Sequence, residues 1–367
     1  MTIDRVRAID AARGTAMLFV FLSHFGLVYF APAGARFLYA ISEGIGMVAT
    51  PTFMIISGIM LGYLFQTRRE RFEVIRRKLM DRGLFYLLVG HFLISCSQVS
   101  RAGGWLSATS CVFITDMIGF CMIGGPRLLE HCGPRFRIGL GAFLYLFSWL
   151  LSLSWSPSSA PGELVHGVLF GNVDWLQVRL QLHLYTFPLL PWFSVYIAST
   201  AIGEHIAICQ MQGNVRQAGT LLKLLFMWTL GLAALSMAAL TVARAQGWIA
   251  RVGMSEIFAR YQKLPPGPIY LLFYGGTGFA ILYLLFLLPN RAPWKGFISF
   301  TTLLGQTSFF IFVLQYFVFY MLVFPAHLAY TPLWPVYLVG SVAFITGCAW
   351  LWRARRFNRY LTLRPIR

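Results

Sequence analysis

Residues 4–31 read DRVRAIDAARGTAMLFVFLSHFGLVYFA, an apolar run with charged residues at its start and a histidine buried in its second half. At about 100° and 1.5 Å per residue, the eleven steps from Arg13 to His24 make three turns plus roughly 20°, or about 16 Å along a helix. Both side chains therefore leave on one face, with Met17 and Val20 between them on the same stripe. Asp10 precedes Arg13 by three residues, the spacing of a helical ion pair. An arginine near one membrane surface and a histidine deep in the bilayer are thereby placed to line one internal path. Intramembrane histidine is costly and marks function more often than packing. The plainer reading makes Arg13 an interfacial anchor that snorkels to headgroups and His24 an interhelical hydrogen-bonding residue.

The rest of the chain agrees with a membrane setting. Of 367 residues, 58% are hydrophobic and only 11% charged, a balance far from that of a soluble domain. The first apolar stretch has no short core ending at a small-residue cleavage site, so it reads as a retained span rather than a signal peptide. The expected fold is all-α, a single polytopic membrane domain over 1–367. About ten spans are expected, near 12–31, 44–66, 82–99, 107–124, 138–155, 184–203, 219–242, 268–288, 299–324 and 334–352. The net charge of +18 would suit nucleic acid, but the basic residues sit in short segments between apolar runs. With both termini cytoplasmic, 23 of the 30 Lys and Arg residues fall inside and 7 outside, as the positive-inside rule requires. That assigns a multi-pass protein of the cell inner (plasma) membrane and no nucleic-acid partner.

The densest basic segment, TRRERFEVIRRKLMDRG (67–83), reads as an inner loop. It either senses anionic headgroups or receives a soluble anionic cofactor, since arginine forks bind phosphate bidentately. Two outer segments, 156–183 and 243–267, are too long for simple turns. The first carries Asp174 and Trp175, a composition suited to sugar; the second holds Lys263 before Pro265 and Pro266 at a stiffened helix start. Glu43 sits at the outer mouth of the second span. His24 and His91 are the two histidines inside spans, and His91 has no comparable charged partner on its own helix face. Asp116 reads as a carboxylate near mid-membrane. The six cysteines are scattered without CxxC spacing, which predicts neither a disulfide framework nor a metal site. No HExxH, GxSxG, P-loop or dinucleotide fingerprint occurs, leaving histidine chemistry or a transport path.

The start of the chain, with Arg5, Ile9, Asp10, Arg13, Gly14 and His24, resembles the signature of the acyltransferase-three superfamily of membrane acyltransferases. PTFMIISGIMLGYLF (51–65), closing on Ser57 and Gly58, resembles its second-helix pattern, and an arginine-rich loop follows as in the family. Arg82 and Gly83, FPLLPWFSVYIAS (187–199) and KLPPGPIYLL (263–272) resemble its bacterial heparan-glucosaminide N-acetyltransferase-like branch. GQTSFFIFVLQYFVFY (305–320) is similar to a helix that in that branch often carries a histidine; here Gln315 stands there, leaving His24 as the principal catalytic candidate.

The resemblance implies transfer of a short acyl group, acetyl or similar, from cytosolic acyl-CoA to a hydroxyl or amine of an extracytoplasmic carbohydrate or glycan. Asp10, Arg13, Arg76, Arg77 and Arg82 are then expected at the donor mouth, His24 as base or nucleophile, and Glu43, Asp174 and Lys263 on the acceptor side. Acyl-CoA is the donor substrate, with no metal. The expected partners are acyl-CoA, the glycan and the lipid bilayer; a homodimer and a monomer both stay open. The competing reading is a secondary transporter or flippase for a sugar or lipid-linked glycan, using His24, His91 and Asp116 as a path. Transporters commonly carry paired broken helices, and no such pair is legible here.

Overall fold

The computed structural model describes residues 7–30, 35–102, 104–171, 187–247, 263–288, 292–323 and 332–363. Among these the regular structure is helical, apart from isolated bridge residues at Val112 and at Lys263 and Pro266, the last two paired with each other. The long helices are α1 (Arg7–Tyr29), α2 (Arg36–Thr67) and α3 (Arg69–Val99). A short α4 (Trp105–Ser110) leads to α5 (Ile114–His131) and α6 (Pro134–Ser154), and α7 (Ala160–Leu169) is again short. Then come α8 (Leu189–Met211), α9 (Val215–Ala245), α10 (Pro268–Leu287), the bent pair α11 (Lys295–Gln306) and α12 (Ser308–Val323), and α13 (Trp334–Ala354).

Burial separates the helices into two populations. α1 and α2 are mostly buried, whereas α9 and α13 are mostly exposed and present Trp228, Leu235, Val339 and Trp350 outward. A soluble protein would not leave such faces wet. In a bilayer they are the lipid-facing surface, and α1 is the central post.

Lipid supplies no hydrophobic drive between helices, so close backbone contact at small residues holds them. A Cβ on Gly62 of α2 would lie 1.9 Å from the carbonyl oxygen of Thr200 in α8. The contact between α1 and α11 is equally tight: a Cβ on Gly14 would lie 1.7 Å from the Thr301 carbonyl oxygen, and one on Gly305 2.0 Å from that of Asp10. Glycine at both positions is what lets α11 sit against the Arg13 turn.

Several expected boundaries move. Seven described helices are long and apolar enough to cross a membrane, or eight if α11 and α12 form one span. The expected ten also counted α5 and α8, which have 18 and 23 residues but carry ionisable groups such as Asp116, Glu130 and Glu204 and pack largely inside the bundle. The fourth expected span, 107–124, is in fact two helices. Phe113 donates its backbone N–H to Asp116 Oδ2 at 2.8 Å, so Asp116 caps the first turn of α5. The segment 67–83 is not a loop; it forms most of the first half of α3. The ninth span breaks by 77° between α11 and α12.

Candidate functional site

The break at Thr307 ends α11 inside the bundle, where its last carbonyls need donors that lipid cannot supply. Arg13 Nε donates to the Gly305 carbonyl at 2.8 Å, and Asn358 Nδ2 donates to the Gln306 carbonyl at 3.0 Å. Arg13 Nη2 also meets Asp10 Oδ1 at 3.4 Å, the ion pair expected from their spacing. Asp10 is buried and its other oxygen faces Gln306 Nε2 at 3.4 Å. Arg13 Nη1 rests on Met60 Sδ at 3.1 Å. Asp10, Arg13 and the α11–α12 break thus form one polar knot at the basic end of the bundle.

Up the same face of α1, Met17 is buried and His24 stands against α12. The imidazole is enclosed by Tyr316, Tyr320 and Phe312, with ring centroids at 5.1, 5.5 and 6.4 Å. Arg13 and His24 therefore pack on the two sides of a single break, Arg13 at the end of α11 and His24 along α12. Val20, assigned to the same stripe, is only half-buried.

The other expected donor-side arginines separate. Arg82 Nη2 donates to the Asn358 backbone carbonyl at 3.3 Å, which ties it through Asn358 to the break. Arg76 pairs with Glu130 and lies 3.9 Å from Glu73, and Arg77 pairs with Glu73 at 2.5 Å. Those two are held by carboxylates on α3 and α5 and do not join the knot.

At the opposite end, close contacts of Gly26 with Ser42 and of Gly46 with Ser23 bring Glu43 nearly level with the last turns of α1, its side chain exposed. Lys263 is half-buried, with Nζ 5.8 Å from the Phe187 ring centroid, and desolvation pulls its pKa down to about 8. Its turn is pinned by Tyr145 and Trp149, which donate to the Pro266 carbonyl at 2.8 and 3.3 Å. Asp174 lies outside the described residues.

Sequence reasoning left His91 without a charged partner, and the structure supplies one from another helix. His91 Nδ1 lies 2.9 Å from Asp116 Oδ2, and Nε2 lies 3.1 Å from the Thr109 carbonyl oxygen. Phe113 sits between the two histidine neighbourhoods, its ring centroid 5.7 Å from that of His91 and, edge to face, 6.3 Å from that of Tyr316. Sequence reading also missed Arg137, fully buried and bonded to Glu204 and to Thr200. Gln306 and Asn358 carried one legible signal, being polar residues next to apolar segments.

Buried central helices, outer helices with exposed apolar faces and ion pairs buried between helices, such as Arg137 with Glu204, define a multi-pass α-helical membrane protein. The family described as Acyltransferase domain (Acyl_transf_3) matches residues 6–353, nearly the whole chain, and the chain belongs to that family of membrane acyltransferases. No curated protein and no solved structure matches it.

Proposed function

We propose that this acyltransferase takes a short acyl group, acetyl or similar, from acyl-CoA at the basic end and delivers it to a hydroxyl or amine of a carbohydrate at the opposite end. The basic end and both termini are cytoplasmic in this reading, the membrane is the inner membrane, and the nearest branch is the heparan-glucosaminide N-acetyltransferase-like one. The observation that carries it is the placement of Arg13 and His24 on one face of α1, against the two sides of the α11–α12 break. A guanidinium at the mouth suits CoA phosphates, and a histidine about 16 Å deeper suits the thioester at the end of a slender arm.

Two routes balance. In direct transfer His24 takes the proton of the acceptor hydroxyl or amine as that atom attacks the thioester carbonyl, the C–S bond breaks, and the CoA thiolate leaves and recovers a proton. In the carrier route an imidazole nitrogen attacks first, CoA leaves, and the acceptor then displaces the imidazole. The transporter reading expects paired broken helices. Among the described residues α11–α12 is the single sharply bent pair.

The test is acyl transfer by purified His24→Ala protein with acetyl-CoA binding measured in parallel. The expected result is intact binding and a rate loss of about 10² to 10⁴ or more. Wild-type turnover in that variant would end the assignment, and failure of acetyl-CoA to bind or thermally stabilise the wild-type protein would end the donor assignment.

A further inference from the structure

Between Arg13 and His24 lies a polar side chain that the proposed reaction has not yet used. Gln315 of α12 is fully buried. Its Nε2 reaches only the Met17 thioether, at 3.9 Å, and its Oε1 has no hydrogen-bond partner among the described residues. Native interiors rarely leave an amide oxygen in that condition, and each such case calls for an explanation. Thioether sulfur is a weak acceptor, and methionine is the side chain most able to re-pack. Arg13 shows the same arrangement one step closer to the mouth, with Nη1 on the Met60 sulfur. Two strong polar groups beside α1 thus rest on displaceable thioethers.

We propose that the Gln315 carboxamide oxygen accepts a hydrogen bond from an amide N–H of the pantetheine arm of acyl-CoA, an assignment that rests on the donor substrate proposed above. The chemistry fits because the arm is apolar except for two secondary amides, each carrying a buried N–H that needs an acceptor once it leaves water. The register fits as well. On α12 Gln315 lies between Phe312 and Tyr316, two walls of the His24 enclosure, and its amide reaches the Met17 side chain on the Arg13 side of that enclosure. The nitrogens of the two pantetheine amides lie three and seven bonds from the thioester sulfur, about 4 and 9 Å when extended. With the thioester at His24, the arm runs past Gln315 with one of these amides in reach, and Met17 swings aside to admit it.

The experiment compares binding of acetyl-CoA, of an analogue with both pantetheine amides replaced by esters, and of adenosine 3′,5′-bisphosphate, which lacks the arm. Wild-type, Gln315→Leu and Gln315→Met proteins are measured, with thermal unfolding recorded for each. Wild-type protein is expected to bind the ester analogue about tenfold more weakly than acetyl-CoA, the worth of one hydrogen bond in a dry site. Both variants are expected to bind the two at the same weaker level, to hold adenosine 3′,5′-bisphosphate like wild type, and to melt no lower, because they remove an unsatisfied amide. Retention of the amide preference in the variants overturns the proposal, as does an equal loss of the bisphosphate or a lowered melting temperature in both. Wild-type binding of acetyl-CoA without any preference for the amide overturns this assignment alone. Absence of acetyl-CoA binding in wild type overturns the donor assignment and this one together.

Discussion

Arg13 donates its Nε–H to the carbonyl of Gly305 at 2.8 Å, 292 residues away in the chain, while its Nη2 holds Asp10 on its own helix. The arginine that the sequence suggests as a donor contact is therefore also the cap of a helix that ends inside the bundle. Its two roles separate experimentally. Arg13→Ala leaves the Gly305 carbonyl and the buried Asp10 carboxylate short of a donor and is expected to cost about 3 kcal/mol of stability. Arg13→Lys keeps the charge but cannot reproduce the fork, so it should recover only part of the stability. If Arg13 also contacts CoA phosphate, acetyl-CoA affinity in folded Arg13→Ala falls about tenfold or more. Unchanged affinity would leave Arg13 as a structural cap only.

The Gly14 contact predicts an intolerant site. A Cβ there would meet the Thr301 carbonyl oxygen at 1.7 Å and the Gly305 nitrogen at 2.8 Å, and backbone atoms cannot rotate away. Gly14→Ala is expected to destabilise by about 3 kcal/mol, at the upper end of ordinary overpacking. Gly219→Ala, on α9 with open space around it, should be neutral or stabilise by up to about 1 kcal/mol. Thermal unfolding of both in one detergent makes the comparison; equal behaviour would refute the tight α1–α11 contact.

What was legible in the sequence was local. Arg13, Asp10 and His24 share one helix, so their common face followed from helical periodicity alone. The partners that give those residues their setting were not legible, because each comes from a distant helix. Gly305 and Gln306 are brought to Arg13 by the bend at Thr307, and nothing in Gly-Gln-Thr-Ser marks a 77° break by composition. His91 looked unaccompanied because its carboxylate lies 25 residues on, at the capped start of α5. The capping role of Asp116 was hidden for the same reason: a carboxylate at a helix start and one within a helix look alike in an apolar run. Arg137 was counted with the basic flanks, where charge alone suffices, yet its partners Glu204 and Thr200 bury it completely.

Orientation is tested by reporter fusions. Both termini and the segment from Arg68 to Lys78 are expected in the cytoplasm and Lys263 outside, from the distribution of basic residues. An external 67–83 segment would remove the cytosolic donor route along with the topology.

Lys263 gives a pH prediction. Desolvation lowers its pKa in the folded protein from 10.5 to about 8, so the charged form is disfavoured on folding. The unfolded chain then binds more protons between about pH 8 and 10.5, and this residue's contribution makes stability rise with pH across that window and be lost as pH falls through about 8. Lys263→Met should therefore melt higher than wild type at pH 7, with the gap narrowing as pH rises from 8 towards 10.5. A gap that is constant with pH would show that the ammonium is not desolvated in the folded state.

The last prediction separates the two intramembrane histidines. Asp116 Oδ2 serves two donors at once, His91 Nδ1 at 2.9 Å and the Phe113 backbone N–H at 2.8 Å. Asp116→Ala removes the helix cap and the imidazole's partner together and is expected to cost about 2 kcal/mol. Its effect on catalysis should be small if His24 does the chemistry. The connection between the sites runs through Phe113, which touches Tyr316 at 6.3 Å, and Tyr316 is one wall of the His24 enclosure. Loss of the cap shifts that wall slightly, so kcat is expected to fall less than tenfold, with acetyl-CoA affinity unchanged. His91→Gln should behave in the same way. A fall of about 10² or more in kcat for His91→Gln, in protein that still binds acetyl-CoA and melts normally, is the size expected for a lost general base. That result would move the proton-transfer role from α1 to the His91–Asp116 pair.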